Sequence, residues 1–113
     1  MTMFNREQYV VDCPSGSNIA VLHGVLRLPS PDAYDGVFAP LRERLASGQL
    51  QTIDLSDVSF MNSSGIRALA SLVLLARDTG MPLRIVVSDK VPWQTKNVAS
   101  FRAISPSLAV DRR

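Results

Sequence analysis

The residues with the most chemical promise stand together at Asn62-Ser63-Ser64-Gly65. An apolar strand, roughly Gln51 to Leu55, empties through a short polar turn into a long apolar segment. The spacing predicts a helix that starts at Asn62 or Ser63. Asn and Ser are favoured there because their side-chain oxygens accept backbone N–H groups that lack partners in the first turn. Gly65 falls in that turn and leaves backbone accessible. A helix N-terminus carries partial positive charge and free donors, so a phosphate on one of these serines is electrostatically welcome. Capping alone explains one serine. It does not explain why Asn, Ser, Ser and Gly stand together before an apolar helix.

Other chemistries are poorly served. A hydrolase elbow needs Gly-x-Ser-x-Gly and a histidine base. The residues two before Ser63 and Ser64 are Met61 and Asn62, and His23 is the sole histidine. The Gly-x-x-x-x-Gly-Lys-Ser/Thr phosphate loop is missing. Asp54 and Asp57 have no third acidic neighbour and read as capping and turn residues. Cys13 is the only cysteine, so no intramolecular disulfide or thiolate cluster can form. His23 has no second ligand at metal-binding spacing and reads as a strand residue. No catalytic residue, cofactor or metal is expected.

The elements that hold the serines follow from patterning. The sequence has 113 residues, 46% of them hydrophobic and 19% charged. That suits a single domain over residues 1–113 with a real core. No run of about 18 apolar residues suggests a membrane span. Met1 to Arg6 lacks a signal pattern, so a cytoplasmic location is the default. The net charge is +2, and only Arg112 and Arg113 are adjacent basic residues. Nucleic-acid binding wants a clustered basic patch, so it is not expected.

Gln8 to Asp12 and Ile19 to Leu28 flank the turn Pro14-Ser15-Gly16-Ser17-Asn18 and read as an antiparallel hairpin. The second strand is nearly all apolar, as an interior strand covered on both faces would be. Ser30-Pro31-Asp32 opens a helix. Tyr34, Val37, Phe38, Leu41 and Leu45 give it one apolar face, and Gly48 ends it. Pro40 interrupts its donors and predicts a kink near Gly36. The serine-bearing helix should run to about Thr79, buried over most of its length, with Gly80-Met81-Pro82 as the stop. Leu83 to Val87 is the next strand. A helix follows near Pro92, with Val98, Phe101 and Ile104 on its apolar face, and Leu108 to Val110 could add an edge strand. After the hairpin, strands alternate with helices. The fold class is therefore α/β, with right-handed crossovers and a mixed sheet of four to five strands.

The stretch Asp54-Leu55-Ser56, then Phe60-Met61-Asn62-Ser63-Ser64-Gly65, resembles the phosphorylation segment of the STAS domain, the fold of bacterial anti-sigma factor antagonists. The family pattern there is Phe-Met-Asp-Ser-Ser-Gly before an apolar helix, and its phosphorylated serine falls on Ser63. Asn62, Ser64 and Gly65 complete that turn. The resemblance extends more loosely from Tyr9 to Val110. It implies a partner switch without catalysis. The unphosphorylated protein binds a serine kinase of histidine-kinase-like ATPase type, often an anti-sigma factor. The kinase phosphorylates the serine, and a PP2C-type phosphatase restores it. A phosphate adds about −1.5 to −2 charges, which an interface tolerates badly and a helix N-terminus tolerates well. Met61, Arg67, Trp93 and Arg27 are the candidate partner contacts.

Three features depart from the family pattern. Asn62 replaces the usual Asp. Val25-Leu26-Arg27 replaces Glu-Leu-Asp after Gly24. Val91-Pro92-Trp93-Gln94 is not part of it. Trp93 is the only tryptophan, and two places are open to it, in the core or as an interface anchor. The competing function is a constitutive STAS scaffold or ligand-binding module that phosphate does not switch.

Overall fold

The computed structural model describes residues 8–14 and 16–113. In chain order the elements are β1 (Tyr9–Asp12), β2 (Ile19–Leu26), α1 (Pro31–Ala46), β3 (Thr52–Met61), α2 (Ser63–Thr79), β4 (Arg84–Val87), α3 (Pro92–Ile104) and β5 (Ala109–Arg112). They build a five-stranded sheet in the order β1-β2-β3-β4-β5. The β1–β2 pair is antiparallel and the other three pairs are parallel. Each helical crossover advances one strand in the same direction. Right-handed crossovers of that kind place all their helices on one face.

Burial follows this layering. Ala20, Leu22, Ile53, Leu55, Ile85 and Val87 are buried beneath helical residues such as Phe38, Leu69, Leu72 and Phe101. On the opposite face Val10, Ile19, His23 and Arg84 are exposed. The expectation that β2 is covered on both faces is therefore corrected. β2 is interior to the sheet, but Ile19 is 42% exposed. Its apolar run reflects the preference of β-branched residues for a pleated surface rather than two-sided burial.

The helices start and stop for the expected reasons. The Ser30 side chain accepts from the Ala33 N–H, with Pro31 in the first turn. Tyr34, Phe38, Leu41 and Leu45 are buried along one stripe, and α1 continues through Pro40. Gly80 closes α2 at φ 72°, a left-handed cap that glycine reaches without a Cβ penalty. The burial of α2 is narrower than its composition suggests. Leu69, Leu72, Val73 and Ala76 are buried, but Leu74 is 39% exposed on the outer side of the layer.

β3 departs most from expectation. It does not end at Leu55 but runs on to Met61. The polar residues read as a turn are absorbed by two irregularities against β2. Between the Val21–Asp54 and His23–Asp57 pairs β3 carries one extra residue, and between Gly24–Val58 and Val25–Phe60 it carries another. Such bulges admit unpaired polar residues and bend the strand while pairing continues. Asp54 stabilises the first, since its Oδ1 accepts from the Ser56 N–H at 2.9 Å and the Ser56 hydroxyl at 2.6 Å. The reading of Asp54 as a turn residue is corrected, since it is a paired strand residue whose side chain supports the bulge. Asp57 instead lies 3.4 Å from His23 Nδ1 across the strand pair.

β4 pairs with β3 only from Thr52 to Asp54. Beyond that, α3 supplies the missing partners. Gln94, only 1% exposed, donates from Nε2 to the carbonyls of Leu55 and Val58, both at 2.8 Å. Its Oε1 accepts from the Ser88 N–H at 2.6 Å. Trp93 Nε1 also donates to the Val58 carbonyl at 2.8 Å. Two side chains at the start of α3 thus hold the far half of β3 in place.

Candidate functional site

The Ser63 turn sits where β3 passes into α2. Asn62 is the N-cap, in extended conformation at φ −77° and ψ 174°. Its Oδ1 accepts from the Gly65 N–H at 3.1 Å, and its backbone N–H donates to the Leu26 carbonyl at 3.1 Å. Of the two starts the sequence left open, Asn62 and Ser63, the structure selects Asn62 as the cap, and neither serine takes that role. Ser63 opens the first turn with its side chain exposed, and Ser64 is half-buried.

Asn62 has further partners that sequence reasoning missed. The Tyr34 hydroxyl donates to Asn62 Oδ1 at 2.7 Å. Asn62 Nδ2 donates to the Leu28 carbonyl at 2.9 Å. The Leu28 N–H in turn donates to the Tyr34 hydroxyl at 3.3 Å. Tyr34, Asn62 and Leu28 therefore close a ring of hydrogen bonds joining α1, the β2–α1 loop and the α2 start. The signal was available in part. A tyrosine in an apolar stripe must find a partner for its hydroxyl when buried, and Tyr34 is fully buried. Burial holds its phenol above its ordinary pKa of 10.0, against the opposing effect of the Leu28 N–H, and Tyr9 adds to the rise. The hydroxyl stays protonated and donates to Asn62.

This ring explains the departure at position 62. An aspartate would accept from Tyr34 and Gly65 equally well, but it has no donor for the Leu28 carbonyl. Gly65 is fixed for a steric reason. A Cβ there would lie 2.5 Å from Met61 Cγ and 2.8 Å from both Cζ and the hydroxyl oxygen of Tyr34. Gly65→Ala is expected to destabilise the protein by about 1–3 kcal/mol, the usual range for overpacking. Thermal unfolding checks this, and an unchanged melting temperature would contradict the close packing.

The expected partner contacts divide. Arg67 is exposed one turn along α2 from Ser63, on the same side of the helix. Arg27 is exposed, and its guanidinium lies 4.9 Å from the centre of the Phe60 ring, a cation–π contact. Phe60 is 40% exposed and was not singled out from sequence. Met61 is corrected: it is 2% exposed and packs against Gly65, so it offers nothing to a partner. Trp93 is half-buried against the core, and its N–H donates inward to the Val58 carbonyl. Among the described residues no group of three or more His, Cys, Asp or Glu is placed to hold a metal, and no helix is long and apolar enough to cross a membrane.

Comparison with known proteins gives two findings. A family model described as the STAS domain matches residues 23–108, most of the chain. The structure of the Bacillus cell fate determinant SpoIIAA in the phosphorylated form is similar in fold, with a TM-score of 0.57 and 18% sequence identity. That likeness covers 90% of this chain and 89% of the other. No curated protein matches the sequence significantly.

Proposed function

The chain belongs to the STAS domain family, and from that premise we propose that it is a phosphorylation-controlled partner switch of the anti-sigma factor antagonist type. Ser63 is the phosphoacceptor, and the protein has no catalytic activity of its own. Unphosphorylated, it binds a serine kinase of histidine-kinase-like ATPase type that serves as an anti-sigma factor. Phosphate on Ser63 breaks that complex, and a PP2C-type phosphatase restores it.

One observation carries this reading. Asn62 takes the capping role, which leaves Ser63 exposed at the first position of α2 with its hydroxyl not needed by the helix. The competing explanation of the serine, that it is present as a cap, loses its basis. The macrodipole then lets the helix start carry a phosphate without unfolding, while the added charge opposes a packed interface. Arg67 and the Arg27–Phe60 pair are exposed and supply contacts of the kind an interface uses.

The test is mass-spectrometric mapping after reaction with the cognate kinase. Phosphate is expected on Ser63 alone, and Ser63→Ala should abolish it while retaining kinase binding. Phosphate on Ser64, Ser56 or Ser59 would remove the assignment. No phosphate at all would favour the constitutive scaffold.

A further inference from the structure

The hydrogen-bond ring around Asn62 has an arrangement that a cap alone does not require. A cap needs one acceptor for one N–H. Asn62 uses Oδ1 twice, for Gly65 and Tyr34, and spends Nδ2 on the Leu28 carbonyl. The Tyr34 hydroxyl is engaged on both sides, donating to Asn62 and accepting from Leu28. The Asn62 side chain, the Tyr34 hydroxyl and both backbone polar groups of Leu28 are therefore shared in one circuit. Packing reinforces it, since Gly65 lets the Tyr34 ring lie directly against the first turn.

We infer that Tyr34 and Asn62 are positioning residues that couple the modification state of Ser63 to the β2–α1 loop, Arg27 to Pro29. The inference rests on Ser63 as the phosphoacceptor. A phosphate there brings strong acceptor oxygens beside the N–H groups of the first turn, Gly65 among them. Charge-assisted hydrogen bonds are roughly twice as strong as neutral ones, so the Gly65 N–H leaves Asn62 Oδ1 for a phosphate oxygen. Asn62 then loses the bond that orients its side chain toward the helix. Its two remaining bonds run to Tyr34 and to Leu28, the residue beside Arg27. Arg27, which lies over the exposed Phe60 ring of β3, thus sits on the segment that responds, and the switched surface extends beyond the serine to this loop.

The experiment places phosphoserine at position 63 during translation, in the full chain, and compares amide NMR spectra with the unmodified protein. In the otherwise unaltered sequence, both the Gly65 and Leu28 amides are expected to shift. In the Tyr34→Phe background the Gly65 shift should persist, because the phosphate acts on it directly, while the part of the Leu28 shift relayed through the tyrosine hydroxyl should be lost, leaving only what Asn62 Nδ2 passes to the Leu28 carbonyl. Tyr34→Phe keeps the ring that packs on Gly65 and Phe38, so the fold is retained. Asn62→Ser keeps a cap without the amide and should lose the Leu28 shift. A Leu28 shift that survives both substitutions undiminished, or none in the otherwise unaltered sequence, overturns the coupling. Because the phosphoserine is installed without a kinase, these outcomes are separate from whether a kinase modifies Ser63.

Discussion

Gln94→Leu is expected to destabilise the protein by about 3 kcal/mol, because one buried and one half-buried backbone group lose their only side-chain partner and each costs about 1–3 kcal/mol. The two are the Ser88 N–H and the Leu55 carbonyl. The Val58 carbonyl is spared, since Trp93 Nε1 still donates to it. Leucine is close in volume and apolar, so cavity formation adds little and hydrogen bonding decides the outcome. For a chain of this size the loss corresponds to a fall in melting temperature of about 12 °C. Trp93→Phe provides the contrast. It removes one donor from Val58, but Gln94 Nε2 remains, so a loss of only about 1 kcal/mol is expected. Thermal unfolding of both variants decides the matter. If Trp93→Phe is the more damaging, the indole and not the amide holds the far half of β3.

Helix α1 was legible almost to the residue, because Ser30, Pro31, the stripe from Tyr34 to Leu45 and Gly48 are all local signals. The same holds for Gly80 at the end of α2. The second half of β3 was illegible, because Ser56, Asp57 and Ser59 look like turn residues when read alone. They are strand because Asp57 pairs with His23 of β2 across a gap of more than 30 residues, while Ser56 and Ser59 fall in the two bulges that take up the excess. Gln94 was missed for a related reason. Its role depends on β4 pairing with β3 only as far as Asp54, which no local pattern announces.

The site divides along the same line. Asn62, Ser63, Ser64 and Gly65 could be placed at a helix start from residue types alone. Which of them caps could not, because the choice depends on Tyr34 and Leu28, both distant in sequence. Tyr34 fitted the α1 stripe so well as a core residue that its hydroxyl drew no attention. Met61 drew attention for its place in the motif, although its side chain faces inward. Motif membership located the turn but did not say which side chains face solvent.

Substitutions at positions 62 and 63 should therefore separate sharply. Asn62→Ala removes the cap, worth about 1 kcal/mol. It also leaves the Leu28 carbonyl without its donor and Tyr34 without its acceptor, at about 1–3 kcal/mol each. The expected total is about 4 kcal/mol, allowing for partial rescue by water. Asn62→Asp should fall between. The carboxylate keeps both acceptor roles and gains about 0.3–1 kcal/mol from the helix dipole. Against that, its second oxygen faces the Leu28 carbonyl at the present Nδ2 distance of 2.9 Å, where an orphaned, repelling acceptor costs about 1–3 kcal/mol. The loss outweighs the gain, so Asn62→Asp is less stable than the parent despite matching the family pattern. Ser63→Ala touches none of these bonds and should stay within about 0.5 kcal/mol of the parent. Urea unfolding with an unchanged m-value reads all three directly. The expected order is Ser63→Ala level with the parent, then Asn62→Asp, then Asn62→Ala. If Ser63→Ala drops as far as Asn62→Ala, the serine is holding the helix start, and a hydroxyl with that duty is not free to exchange a phosphate.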